Sequence, residues 1–230
     1  MATFPNGNSA YPSSGADSRS QFITRTYTHL VGGILGFILV ELALFESGLA
    51  ARIAGFMFGL PWMVILGAFM LVGWLASRTA QTSSSIGMQY FAFGAYVVAE
   101  ALIFVPMLYM ADMKAPGVID SATLVTALGT GGLMLVAHQT RKDFSFLRAI
   151  LIWSGVIALV AIIGGAIFGF QLGTWFSVIM IGVAGASVLY DTSNIIHNFP
   201  EDRYVSAAMQ LFASIALMFW YVLRLFMSRR

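Results

Sequence analysis

Seven long apolar runs, separated by short polar segments, constrain this chain more than any other feature. They cover residues 28–45, 60–76, 88–110, 121–137, 146–167, 174–196 and 205–227. A helix needs about 17–25 apolar residues to cross roughly 30 Å of hydrocarbon, and most of these runs meet that length. They are continuously apolar and lack the ten-residue alternation of a transmembrane β-strand, which disfavours a barrel. The predicted fold is therefore an all-α integral membrane bundle of seven transmembrane helices. Only 10% of the residues are charged and 59% are hydrophobic, against about 25% charged in a soluble domain, so there is too little polar surface to coat a water-facing globule. The lipid bilayer is the expected solvent.

Residues 1–20 are rich in Ser, Gly, Pro, Asn and Ala without hydrophobic periodicity, and read as a disordered cytoplasmic tail. A cleavable signal would place a basic cluster and a short apolar core at the extreme N-terminus, a pattern this stretch does not follow. Residues 21–230 form the seven-helix domain. Arg19 and Arg25 precede the first run, Arg78 follows the second, Arg141, Lys142 and Arg148 follow the fourth, and Arg203 follows the sixth; the opposite loops hold Arg52 and Lys114. The positive-inside rule then sets the N-terminus in the cytoplasm. Seven spans put Arg229 and Arg230 outside, against that rule, and six spans with one re-entrant run would bring them back; the length of each run favours seven. The net charge of +2 contains no basic run suited to nucleic acid, and the absence of cysteine excludes a disulfide, a thiolate metal site and a cysteine nucleophile.

Gly32 with Gly36, and Gly165 with Gly169, have the four-residue spacing that lets membrane helices approach closely, and Pro106 is a candidate kink in the third run. No internal repeat supports an inverted-repeat transporter.

An ionisable group at a helix centre costs roughly 2.5–3.5 kcal/mol on insertion, so each one is a functional hypothesis. The set here is Glu41, Glu100 and Asp191, with Arg78 and His138 at inner segment ends. Asp191 and Arg78 sit at similar predicted depth. Pairing would offset their desolvation and protonation of the Asp would release the Arg, a pH-dependent latch; a static pair, or an Asp reached by cytoplasmic water, are the alternatives. Glu41 reads as interfacial, whereas Glu100 lies mid-span and could serve a proton or cation path. His29, His138 and His197 are spaced unlike any metal site. There is no zinc-binding His-Glu-x-x-His, no Gly-x-Ser-x-Gly elbow and no phosphate loop, so no enzyme, cofactor or metal is expected.

The string Thr140-Arg141-Lys142-Asp143-Phe144-Ser145-Phe146-Leu147 and the string Asp191-Thr192-Ser193-Asn194-Ile195-Ile196-His197 resemble the Bax inhibitor-1 (transmembrane Bax inhibitor motif) family. Arg25-Thr26-Tyr27 and Arg78-Thr79-Ala80 fit the same pattern. Within the family the strings are most similar to the bacterial YccA branch, inner-membrane modulators of the FtsH protease. The resemblance covers the chain beyond its tail and implies a bundle whose last helix is central. In calcium-leak members an aspartate of the sixth helix faces one in the seventh and the pair senses pH. Asp191 matches the first; Ser214 stands at the second.

Ser214 supplies no like charge to share a proton with Asp191, and only a neutral oxygen to a calcium ion. The resemblance therefore implies a modulator that partners the FtsH complex, with the N-terminal tail as a handle for the protease. A pH-sensitive calcium or proton leak, using Asp191 and Arg78 and lined by Ser214, is the alternative. The YccA-like strings imply a bacterial inner membrane.

Overall fold

The computed structural model describes residues 15–83, 85–140 and 142–228. These form helices α1 (Gly15–Glu46), α2 (Leu49–Phe58), α3 (Trp62–Thr82), α4 (Ile86–Lys114), α5 (Val118–Thr140), α6 (Leu147–Phe168), α7 (Thr174–His197) and α8 (Tyr204–Met227), with no strand among the described residues. All but α2 are long and apolar enough to span a membrane, so the chain is a seven-span helical bundle. Arg141, Arg229 and Arg230 lie outside the described residues.

Two boundaries differ from expectation. The first concerns α2, which carries Arg52 where a loop was expected. At 10 residues it covers only about 15 Å, too short for a rule that searches for spans. It packs its Ala50 and Ala54 against Val105 of α4, and Gly48, at φ +71°, makes the turn into it from α1. The second concerns the expected tail. Residues 1–14 lie outside the described residues, but 15–20 are helical and begin α1. Arg19 anchors this turn: its Nε donates to the Ile196 carbonyl at 3.1 Å and its Nη1 to the Phe199 carbonyl at 2.5 Å. It thereby satisfies the Ile196 carbonyl, which the end of α7 leaves without a helical partner, and that of Phe199 in the turn beyond it. Phe22 stacks on Phe199 one turn further along α1.

Helix α8 is the most enclosed of the spans, with 67% of its most apolar window buried. It packs against α1, α3, α4, α5 and α7, close to the expected central position. The exception is α6, which leans on α7 at the edge of the bundle. Lipid tails are as apolar as the core, so burial in the hydrocarbon gives little net hydrophobic gain, and close packing and interhelical hydrogen bonds hold the helices together. Ala207 and Ala208 let neighbouring backbones approach α8, and Phe212 meets the rings of Phe37, Phe93 and Tyr96 edge-on.

The close approach on α1 is made by Gly33 rather than Gly32. A Cβ on Gly32 meets nothing within 4 Å, whereas one on Gly33 would sit 2.5 Å from the ring of Phe93. Phe93 is itself held against Phe212, so Gly33→Ala overpacks the α1–α4–α8 junction and costs about 1–3 kcal/mol; a lowered melting temperature in nanodiscs, with Gly32→Ala unchanged, checks this. Gly165 and Gly169 do not join two helices. They close the end of α6, Gly169 adopting φ +75° and donating its N–H to the Gly165 carbonyl at 2.9 Å. Helix α4 runs through Pro106 as one element.

Candidate functional site

Asp191 lies on the face of α7 that also carries Ala184, Val188 and Ile195, all buried against the bundle. That face turns the carboxylate toward α8, where Gln210 and Ser214 stand one helical turn apart on one side. Gln210 Nε2 donates to Oδ1 at 2.7 Å, and Ser214 Oγ donates to Oδ2 at 2.5 Å. Asp191 is only 4% exposed. Each oxygen thus receives a neutral donor from the neighbouring helix, the satisfaction a buried acid requires.

Arg78 is not part of this arrangement. It is exposed on α3, a helix that packs on α4 and α8, and its guanidinium lies 5.3 Å from the ring of its own neighbour Trp74. The expected Asp191–Arg78 latch is therefore absent from the structure: the two residues share a depth in the sequence pattern but not a direction around their helices. Gln210 takes the place expected of the arginine. An amide one turn before Ser214 in an otherwise apolar run was the available signal for it.

The remaining acids are separate from Asp191 and from each other. Glu100 is 5% exposed, and Tyr96, one turn earlier on α4, donates its hydroxyl to Oε1 at 2.7 Å. Glu41, near the end of α1, is 7% exposed, and neither carboxylate oxygen has a hydrogen-bond partner among the described residues. Among the described residues no group of three acids or histidines is arranged to hold a metal ion.

Two cavities approach Asp191 and Ser214. One, of about 1010 Å³, extends from Glu100 and Ser214 to Trp62 and Arg224, at the end of the bundle away from Arg19. The other, of about 630 Å³, lies between α6, α7 and α8 and is lined by Arg148, Asn194, Asp191 and Gln210. Ala213 and Ser214 line both, so the Ser214–Asp191 hydrogen bond sits at the partition.

The polar strings that set this chain apart have a mechanical role beside that centre. Ser193 Oγ donates to the Lys142 carbonyl at 3.1 Å and accepts from the Phe144 amide at 3.1 Å, fastening the α5–α6 loop to α7. Within that loop the Asp143 carboxylate accepts the Ser145 amide at 2.9 Å, a local turn that competes with helix formation. Thr140 and Thr192 bond back to carbonyls of their own helices. His197 Nδ1 lies 2.9 Å from the Ser193 carbonyl, which only accepts, so the proton resides on Nδ1. Asn194 lines the smaller cavity, and its carbonyl closes α7 by accepting from Asn198 and Phe199.

Fold and site together define a polytopic membrane protein built around a neutral-donor carboxylate between its last two helices. The family model described as inhibitor of apoptosis-promoting Bax1 matches residues 19–230, and the chain belongs to this Bax inhibitor-1 family. It is 31% identical over 99 residues to the modulator of FtsH protease YccA of Escherichia coli K12, a match covering 40% of this chain and 45% of that protein. It is also 31% identical over 121 residues, 50% of the chain and 52% of the relative, to a protein named only as an uncharacterized membrane protein of Vibrio cholerae. The chain spans about half the length of the curated relatives it matches.

Proposed function

We propose that this chain is a non-enzymatic modulator of a membrane-anchored AAA protease of the FtsH type and, through it, of membrane protein quality control in a bacterial inner membrane. The observation that carries this reading is the identity to the Escherichia coli protein named as a modulator of that protease. The chemistry of the centre supports it. Both oxygens of Asp191 are taken by neutral donors from α8, and Ser214 offers a divalent cation no second charge. In this reading the N-terminus is cytoplasmic and residues 1–14, ahead of the α1 anchor, are the segment the protease engages. Expressed beside tagged FtsH in a native membrane, the full chain co-purifies with the protease and lengthens the half-life of an FtsH substrate, and deleting residues 1–14 reduces both effects. Unchanged substrate turnover together with no co-purification would overturn the proposal.

The cavities on either side of Ser214 favour a second reading, a pH-sensitive cation leak. It expects calcium or proton flux into proteoliposomes that changes with Asp191→Asn, and a stronger calcium dependence with Ser214→Asp. Flux no greater than in empty liposomes sinks it.

A further inference from the structure

The larger cavity has a composition that neither reading uses. Its walls come from α3, α4, α6 and α8, together with residues beside them such as Phe58 and Phe170. Helix α6 leans on α7 while α3 packs on α4 and α8, which leaves a gap between α3 and α6 that opens at the end of the bundle away from Arg19. Trp62 and Phe170 at this rim are 40% and 51% exposed. Inside, the lining is aromatic and aliphatic, with one carboxylate, Glu100, at its floor. The Tyr96 hydroxyl donates to Glu100 Oε1 at 2.7 Å. No cation among the described residues pairs with this carboxylate: Arg224, at the far end, donates to the Leu172 carbonyl at 2.7 Å and lies over the Phe176 ring.

A carboxylate without a counter-ion, set in an apolar cavity and enclosed by rings, is complementary to a molecule with a positive head and an apolar body. We propose that this cavity binds hydrophobic organic cations, with the charged centre at Glu100 and the body against Phe104 and Trp220. The rings contribute because an aromatic face attracts a cation most strongly where water is excluded. A volume of about 1010 Å³ falls at the upper end of the roughly 300–1,000 Å³ typical of drug-sized sites. A neutral lipid chain would use the walls but leave Glu100 without its complement, so charge selectivity distinguishes the two occupants. The proposal is independent of protease modulation.

The test is equilibrium dialysis of tetraphenylphosphonium against the full chain in nanodiscs, with triphenylphosphine oxide as the neutral comparison and tryptophan fluorescence as a second readout, since Trp62 and Trp220 stack at 6.0 Å on the cavity wall. Saturable binding of the cation above empty nanodiscs is expected. Glu100→Gln keeps an acceptor for the Tyr96 hydroxyl, and so the local fold, yet weakens cation binding by at least about tenfold while leaving the neutral compound unaffected. Leu217→Trp, which fills the cavity, weakens both. Equal affinity for cation and neutral compound, a Glu100→Gln variant that binds the cation like the wild type, or no saturable binding would each overturn the proposal.

Discussion

Replacing Gln210 by Leu and Ser214 by Ala together destabilises the bundle by about 2–5 kcal/mol, the loss expected when a buried carboxyl group is left without either of its hydrogen-bond donors. The size follows from enclosure: at 4% exposure, Asp191 has little water to replace the donors it loses. The two donors come from α8 and the acceptor from α7, so the loss falls on the most extensive helix pair in the protein. Removing the acid as well, with Asp191→Leu in the same background, recovers most of the stability because no buried polar group is left unsatisfied. Asp191→Asn alone stays near the wild type. Its oxygen still accepts from Gln210, and its amide donates to a Ser214 hydroxyl that rotates to accept. Reversible unfolding in mixed detergent micelles measures all three variants against the wild type. A double substitution as stable as the wild type would mean that the Asp191 bonds contribute nothing to holding α7 on α8.

Ser193→Ala releases the α5–α6 loop. The substitution leaves the Lys142 carbonyl and the Phe144 amide without their side-chain partner, and two lost bonds of about 0.5–1.5 kcal/mol each raise local opening by roughly 5- to 150-fold. Amide exchange across 142–146 accelerates accordingly, and trypsin cuts after Lys142 faster. The α7–α8 core keeps its protection. Ser193→Thr retains the hydroxyl and restores part of the slow exchange. If Ser193→Ala exchanges at the wild-type rate, the loop is held by its own turn at Asp143 and not by α7.

Much of the architecture was legible because membrane spans announce themselves by length. A run of twenty apolar residues has few alternatives in lipid, and the seven spans follow from that rule. Helix α2 escaped it by being half as long as a span, though its small Ala50 and Ala54 mark the face that packs. The centre was legible by half. Asp191 stands out as an acid in an apolar run, but depth along a helix says nothing about direction around it, and Arg78 was paired with it on depth. The face shared by Ala184, Val188 and Ile195 points instead to α8, where Gln210 and Ser214 supply weaker sequence signals than a charge. Position near the end of a run likewise says nothing about cover by neighbouring helices, and Glu41 is buried among them. The resemblance places Ser193 in a family-like string without revealing that its hydroxyl pins the α5–α6 loop.

The Arg19 anchor has a consequence for how the protein yields to force. Because this side chain grips the carbonyls of Ile196 and Phe199, a machine hauling on the N-terminus does not simply peel α1 from the edge of the bundle. The load passes through one guanidinium to the corner between α7 and α8, and from there to the helices that hold the centre. These contacts act in parallel along the pull and must give way together rather than one by one, so extraction from this end is slow at the first step and cooperative thereafter.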